Sequence, residues 1–147
     1  MLEPLSQREC IDRLGIGCVG RVGLVADGVP HVLPVNYASE ATGLVVFRTM
    51  QGTLLSTVAG QRVVFEVDGF DRNHAMGWSV CVHGTAHEDS VPTASAARSL
   101  ADRSLITWAP GPRDRWFTIE PDEITGRRVA LSGDLSDLDG WIQGVVS

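Results

Sequence analysis

The sequence predicts a mostly β protein that folds as a single antiparallel barrel with short helices between some of its strands. Short segments rich in valine and other strand formers recur along the chain, and turn residues separate them at close intervals. The strand–helix–strand rhythm of a parallel sheet is missing. A length of 147 residues suits one domain spanning 1–147, and a hydrophobic fraction of 44% allows an ordinary buried core.

Capping and turn signals give the order of the elements. Ser6 and Glu9 form a capping box, which predicts the start of a helix. Asp27-Gly28 indicates a tight hairpin, because both positions of such a turn favour positive φ. The predicted elements, in chain order, are a helix over 6–14, strands over 20–26, 30–37 and 44–48, a helix over 51–59, strands over 62–68 and 78–88, a helix over 93–104 and a strand over 115–124.

Two of the predicted helices and the C-terminal tail are defined by spacing and composition. Leu54, Leu55 and Val58 share one face of the helix over 51–59. Thr93 is a candidate N-cap of the helix over 93–104. The tail over 130–147 is rich in glycine, serine and aspartate but ends on apolar residues. We expect this tail to dock on the body of the domain or on a partner chain.

Composition excludes several functions. A net charge of −6 argues against a nucleic-acid surface, and no apolar run is long enough to span a membrane. The N-terminus lacks the features of a secretory signal, so a cytoplasmic location is expected. All 12 basic residues are arginine, which excludes lysine Schiff-base chemistry. Three cysteines without CxxC spacing argue against a disulfide framework and are expected to be reduced thiols.

The segment FRTMQGTLL has the residue types of an anion site. Arg48 and Thr49 end a predicted strand, and Thr53 lies at the start of the next predicted helix, whose N–H groups would face an anion. Gly52 lets the backbone approach a ligand closely, and Arg48 would make a charge-assisted contact to a phosphate. The alternative is that Thr53 only caps the helix and Arg48 is a solvated strand-end charge.

Two other kinds of chemistry have weaker support. Cys81, His83 and His87 share one face of the strand over 78–88, and side chains of this type could bind zinc or contact haem. The outer two would lie about 20 Å apart, too far to share one ion. No nucleophile-elbow motif and no clear acid–base pair are present.

The order of several motifs resembles that of one family. The motifs are Gly20-Arg-Val-Gly23, Pro34-Val-Asn-Tyr37, Val46-Phe-Arg-Thr49 with Gly52-Thr53, Val64-Phe-Glu-Val-Asp68, Gly77-Trp-Ser-Val80 with Gly84-Thr-Ala86, Trp108-Ala-Pro-Gly-Pro112 and Ile124-Thr-Gly-Arg-Arg128. Their order and spacing over about 5–129 resemble the pyridoxamine 5'-phosphate oxidase-like FMN-binding split-barrel family, in its small bacterial members.

The resemblance implies a six-stranded antiparallel split β-barrel and a homodimer with FMN at two sites between the subunits. It also implies that Arg48, Thr49 and Thr53, beside Gly52, hold the FMN phosphate. Pro34, Val35 and Asn36 would run along the isoalloxazine ring. Trp78 and Ser79 would approach the flavin from the dimer-related side. Small members usually carry a basic residue directly after the position of Thr53, whereas this chain has Leu54. Arg48 is then the phosphate's main cation, with Arg21 or Arg62 as the other candidates.

The function expected from this resemblance is a flavin-dependent oxidoreductase. Hydride or electrons would pass through FMN to a small substrate, for which a nicotinamide cofactor, a small electrophile and a pyridoxal-type phosphate are candidates. The arginines that bind substrate phosphate in the larger vitamin-processing enzymes have no match in the tail. A deazaflavin-dependent reductase is one alternative. A non-catalytic dimer that binds flavin or haem is the other.

Overall fold

Seven antiparallel strands, one α-helix and one 3₁₀ turn form the parts that the computed structural model describes, residues 2–89 and 115–130. The elements are β1 (Leu2–Pro4), α1 (Gln7–Ile16), β2 (Val19–Ala26), β3 (Val29–Ser39), β4 (Val45–Thr49), the 3₁₀ turn (Leu54–Thr57), β5 (Arg62–Asp71), β6 (Met76–Asp89) and β7 (Arg115–Ala130). The predicted helix over 93–104 and the tail beyond Ala130 lie outside the described residues.

Six of these strands close into a barrel. The neighbours follow the order β7, β4, β3, β2, β5 and β6, and β6 pairs again with β7 along most of its length. The short strand β1 pairs with the end of β7 and adds a seventh strand outside the ring. The predicted six-stranded antiparallel split barrel is therefore confirmed.

The β2–β3 hairpin forms as its turn residues predict. Asp27 and Gly28 both have positive φ, 51° and 76°, which gives a tight turn whose twist matches the flanking strands. The register then runs without interruption from Ala26 opposite Val29 to Val19 opposite Asn36.

Helix α1 closes one end of the barrel. Ser6 Oγ accepts a hydrogen bond from the Glu9 amide at 3.2 Å, and Glu9 Oε2 accepts one from the Ser6 amide at 2.8 Å. This confirms the capping box. The buried side chains Cys10 and Leu14 face the barrel. The helix continues past Gly15 to Ile16, so the predicted end was two residues short.

Alternating side chains fill the barrel interior. The ring centroids of Tyr37 and Phe65 lie 4.7 Å apart, and those of Phe47 and Phe117 lie 5.6 Å apart. The Tyr37 hydroxyl donates a hydrogen bond to the Leu14 carbonyl at 2.6 Å, which satisfies a carbonyl near the helix end. This bond connects the helix to the interior aromatic cluster.

Two predicted boundaries were wrong for reasons of long-range pairing. Strand β5 continues to Asp71, so only a short turn replaces the predicted loop over 69–75. Strand β7 continues through Pro121 to Ala130. The strand tolerates this proline because the β6–β7 register shifts between His83, opposite Glu123, and Gly84, opposite Pro121, which leaves an irregularity in the pairing. At such a bulge the missing N–H of proline does not break a ladder bond.

The predicted helix over 51–59 was also wrong. The segment is a turn followed by the four-residue 3₁₀ turn. Gly52 and Gly60, on either side of it, have positive φ, 81° and 77°, a backbone conformation that a helix cannot contain. The apolar spacing that suggested a helix is satisfied by one turn, which buries Val58 and packs Leu54 and Leu55 against the core.

Candidate functional site

The predicted ring and phosphate contacts lie on two neighbouring strands, at the point where the pairing of these strands stops. Strands β3 and β4 pair from Ser39 opposite Val45 to Tyr37 opposite Phe47. Beyond this point β3 continues toward its hairpin with Asn36, Val35 and Pro34, whereas β4 ends with Arg48 and Thr49. The structure therefore brings these two predicted groups to one location.

Strand alternation decides which groups face outward there. Val35 and Thr49 are buried and point into the barrel, whereas Pro34 is exposed on the outer surface and Asn36 and Arg48 are partly exposed there. Val35 therefore presents no side chain to a ligand on the outer surface, and its backbone lies opposite Gly20 on β2. The Tyr37 amide donates to the Cys18 carbonyl at 3.1 Å. The Tyr37 backbone groups therefore point toward β2. Because the backbone groups of successive strand residues point to opposite sides, those of Pro34 and Asn36 point away from β2, toward the β4 side.

The Arg48 guanidinium lies over the aromatic ring of Trp116. Its guanidinium carbon lies 5.4 Å from the centroid of the Trp116 ring, the residue directly opposite on β7. Within residues 2–89 and 115–130, Arg48 forms no ion pair. The sequence motifs assign no role to Trp116. Its role under Arg48 depends on the β4–β7 register.

The two predicted hydroxyl ligands contact each other. Thr49 Oγ1 and Thr53 Oγ1 lie 2.8 Å apart, and Thr53 Oγ1 donates to the Met50 carbonyl at 2.8 Å. The Thr53 proton is thus used within the turn, and Thr49 is the donor of the pair. Gly52, with φ +81°, leaves open space where a side chain would be. A phosphate at this turn would have to compete with these contacts for the hydroxyl protons.

The predicted contribution of a helix N-terminus to the anion site was wrong, because the segment after β4 is not an α-helix. A four-residue 3₁₀ turn contains too few aligned peptide groups to carry the partial charge of an α-helix. Leu54, which replaces the basic residue of the family pattern, is partly buried against the core. Among the residues that the structure describes, the side-chain charge of the site therefore rests on Arg48.

The two other arginines considered for the phosphate are already paired. Arg21 Nη2 lies 2.8 Å from Glu66 Oε2 and 3.0 Å from Asp68 Oδ2. Arg62 forms an ion pair with Asp122. Moving either guanidinium to the β3–β4 site would leave carboxylates without their partner, so we assign neither to a ligand.

Trp78 and Ser79 lie on β6, which is separated from β3 by β2 and β5. The Trp78 side chain faces the barrel end, packs against the core beside Gly69, and has the Arg13 guanidinium 5.3 Å from its ring centroid. Ser79 points to the outer surface, opposite Arg127 on β7. The two side chains thus face opposite sides of the strand, and one chain alone does not bring either to Arg48.

The face of β6 considered for metal binding carries Cys81, His83 and His87 as predicted. In the described part of the chain no group of three potential ligands comes close enough to hold a metal ion. Burial raises the pKa of the Cys81 thiol, with the Glu66 carboxylate adding to the effect, so the thiolate that a metal requires is disfavoured. His87 Nε2 instead lies 3.6 Å from Glu120.

Among the described residues, no helix is long and apolar enough to cross a membrane.

The barrel and its β3–β4 site define a split barrel of the flavin-binding type. The family model described as pyridoxamine 5'-phosphate oxidase matches residues 6–128 of this sequence. An uncharacterized protein of Mycobacterium tuberculosis is 34% identical over 116 residues, which are 75% of this chain and 74% of the relative. The chain therefore belongs to the pyridoxamine 5'-phosphate oxidase family.

Two solved structures are similar to the fold. An FAD-binding protein from Mycobacterium smegmatis is 31% identical with a TM-score of 0.66, and the match covers 88% of this chain and 99% of that one. An FAD-binding protein from Mesorhizobium loti is 24% identical with a TM-score of 0.71, over 89% of this chain and 98% of that one. The second comparison supports the fold alone.

Proposed function

We propose that this chain binds a flavin nucleotide, FMN, with its phosphate at Arg48 and its ring along Pro34, Val35 and Asn36. The observation that carries this proposal is that Arg48 forms no ion pair in the described residues and lies at the end of β4, beside the strand segment that stops pairing. An arginine in such a place is available for a bidentate contact to a phosphate. Membership of the family supports the same assignment.

The residues of the site fit binding and orientation. Trp116 lies under the Arg48 guanidinium and restricts the directions in which it can point. The backbone of Pro34 offers a carbonyl but no N–H, so this edge can present an acceptor to a planar ring. Thr49 can turn its hydroxyl from Thr53 to an anion. These contacts orient a ligand and move no proton.

The expected activity is oxidoreduction. A bound flavin accepts and donates hydride or single electrons, and the protein supplies binding, orientation and shielding from water. The side chains assigned to the site contain no carboxylate and no imidazole, which fits chemistry supplied by the cofactor. A small molecule, with a nicotinamide cofactor as first candidate, would be the partner in this exchange, and the cytoplasm remains the expected location.

FAD is a second candidate cofactor, favoured because Arg48 is the one side-chain cation that residues 2–89 and 115–130 bring to the site. In FMN the ribityl phosphate is a terminal group with up to two negative charges, whereas in FAD it is one half of a pyrophosphate that carries one negative charge on each phosphate. A site with Arg48 and without a second basic residue at Leu54 suits the smaller charge. The Mycobacterium smegmatis relative binds FAD.

The test is to identify and then titrate the cofactor. Mass spectrometry of the small molecule released from purified protein is expected to show FMN or FAD, and flavin fluorescence is expected to be quenched when either is added to the apoprotein. Anaerobic mixing with NADH or NADPH then measures whether the bound flavin is reduced. A Soret band or a copurified deazaflavin would support the alternative cofactors, and a colourless protein that retains no flavin would refute the proposal.

A further inference from the structure

One line of apolar residues crosses the outer surface of the barrel at the end of β7, over four neighbouring strands. Directly opposed residues of antiparallel strands share one face, and the registers place this line side by side. Its members, here named the apolar row, are Leu2 on β1, Val129 on β7, Gly77 on β6 and Phe70 on β5. The row spans three strand spacings, or about 14 Å.

The apolar row is open to solvent. Leu2, Phe70 and Val129 are 58%, 42% and 36% exposed. Gly77 carries no side chain, and the nearest atom to a Cβ added there is in the Phe70 ring, at 3.7 Å. The row therefore has a gap between Phe70 and Val129 that an apolar side chain could fill. Neighbouring apolar side chains that stay in water on a sheet are typical of an interaction surface.

The chain continues from this row into the tail over 130–147, and the end of the tail has the sequence pattern of an amphipathic helix. Four apolar residues spaced i, i+3, i+4 and i+7 share one helical face. They are Leu138, Trp141, Ile142 and Val145. Ser136 and Asp139 have the spacing of a capping box, and Asp137 and Asp139 lie in the first turn, where negative charge stabilises a helix. Gly140 and Gly144 fall on the opposite face.

Such a helix needs a surface on which to form. A ten-residue helix that contains two glycines is not stable alone in water. Its apolar face, from Leu138 to Val145, is about 10 Å long at 1.5 Å per residue, so it fits within the length of the apolar row. Ala130 directly follows the row, which gives the tail a high effective concentration at this surface.

Charge favours one direction of the helix on the row. The tail carries three aspartates and no basic residue. Arg127 lies two residues before Val129 on the same outer face, is exposed, and forms no ion pair within residues 2–89 and 115–130. Arg128 points to the other face, where it binds Glu3 and Glu9. Arg127 is thus the cation near the row that can attract an acidic first turn.

We propose that residues 137–146 form a helix that lies across the apolar row of the same chain. The helix begins above β1 and β7, where Asp139 meets Arg127, and ends above β5. Trp141 fills the gap above Gly77. The apolar side chains of the row and of the tail then leave water together. This proposal does not depend on the ligand at Arg48.

The first test measures hydrogen exchange of the tail amides in the full chain by mass spectrometry. The amides of 141–146 should exchange at least about 10-fold more slowly than the same sequence unfolded, because the helix bonds them. Leu2→Asp places a carboxylate under the helix and should restore the unfolded rate. Val25→Asp makes a like change on β2 at the same exposure of 58% and should keep the wild-type rate.

A second variant removes the effect of Leu2→Asp on β1 itself. Phe70→Asp changes the opposite end of the apolar row, on β5, and leaves β1 intact. It should restore the unfolded exchange rate of the tail as Leu2→Asp does. If Leu2→Asp loosens β1, the result for Phe70→Asp decides.

The second test is a cross-link between the row and the tail. Its background carries Cys18→Ser and Cys81→Ser, and the remaining Cys10 is fully buried. Arg127→Cys with Asp139→Cys replaces the proposed ion pair by two thiols. A short bis-maleimide should join these thiols at least about 10-fold faster than it joins Arg62→Cys to Asp139→Cys, because a docked tail does not reach the exposed position 62.

The outcomes identify the occupant of the row. A wild-type tail that exchanges at the unfolded rate overturns the proposal, as does protection that both Leu2→Asp and Phe70→Asp leave unchanged. Equal cross-linking of positions 127 and 62 also overturns it. A linked product of twice the chain mass would show that the tail docks on a second copy and would refute the choice of occupant. A protected tail in a protein that binds no flavin would refute the proposed function and support this inference.

Discussion

Arg21 and Arg48 lie on the outer surface of the same barrel, but their neighbours differ. Arg21 on β2 faces two carboxylates that β5 brings into register, and it binds both of them. Arg48 on β4 faces Trp116 on β7, and in the described residues it pairs with no carboxylate. The residue opposite on the next strand thus decides whether an arginine stabilises the fold or is available to an anion.

The largest effect expected from this comparison is on ligand affinity at Arg48. Arg48→Ala should weaken FMN binding by about 1.5–3 kcal/mol, or roughly 10- to 150-fold, because a charge-assisted contact is lost. Arg48→Lys should recover part of the affinity, since lysine keeps the charge but loses the bidentate geometry. Fluorescence titration measures both. Arg62→Ala, at an arginine paired with Asp122, is the control and should bind FMN like the wild type.

Arg21 should show the opposite behaviour. Arg21→Ala removes the partner of Glu66 and Asp68 and should lower the free energy of unfolding by about 1–2 kcal/mol, less than for a fully buried pair because these groups are partly exposed. Denaturant titration at one protein concentration measures this. Arg8→Ala, at a pair with side chains 88% and 65% exposed, should change it little. An unchanged stability of Arg21→Ala would remove the contrast between the two arginines.

Two glycines test whether the turn beside Arg48 has a role in binding. Gly52 and Gly60 have nearly equal positive φ, and neither has an atom within 4 Å of an added Cβ. Gly52→Ala and Gly60→Ala should therefore each lower the free energy of unfolding by about 1 kcal/mol through backbone strain alone. Only Gly52→Ala should also weaken FMN binding. Equal affinities in both variants would show that the turn does not contact the ligand.

The smallest effects concern pH, and they have opposite signs for two ion-paired carboxylates. Burial raises the pKa of Glu66 above its ordinary 4.5, so its contribution to stability is present at low pH and is lost as pH rises through the raised pKa. The hydrogen bonds from Arg115 lower the pKa of Glu88, so its contribution is present at higher pH and is lost as pH falls through the lowered pKa.

Two glutamine variants separate these contributions. When pH falls from neutral toward the ordinary pKa of 4.5, the wild type should gain stability relative to Glu66→Gln, because the pKa of Glu66 is raised in the folded protein. Below the ordinary pKa of 4.5 it should lose stability relative to Glu88→Gln. Denaturant midpoints at several pH values measure both trends. A parallel course of wild type and Glu66→Gln would show that Glu66 is not desolvated.

Local signals predicted the parts of the fold that depend on near neighbours. The Asp27-Gly28 turn and the Ser6 capping box are set by a few adjacent residues, and both form as expected. The helix over 51–59 was predicted from apolar spacing, but positive φ at the glycines on either side limits that segment to one 3₁₀ turn. Spacing alone could not show this, because a short turn can place the same side chains against the core.

The adjacency of the candidate site residues could be predicted from the sequence, but their electrostatic partners could not. The sequence placed Arg48, Thr49, Gly52 and Thr53 together because they follow one another in the chain. The partners that distinguish Arg48 from Arg21 come from strands distant in sequence, so only the register reveals them. The same holds for Trp78 and Ser79, which the register of β6 places away from Arg48 within one chain.

The phosphate contact of Arg48 is tested most directly by comparing FMN with riboflavin, which lacks the phosphate. The affinity of the wild type for FMN should exceed that for riboflavin by about 10-fold or more, and Arg48→Ala should abolish most of this difference while leaving riboflavin binding unchanged. If Arg48→Ala weakens FMN and riboflavin equally, or neither, the phosphate does not bind at Arg48 and the central claim is wrong.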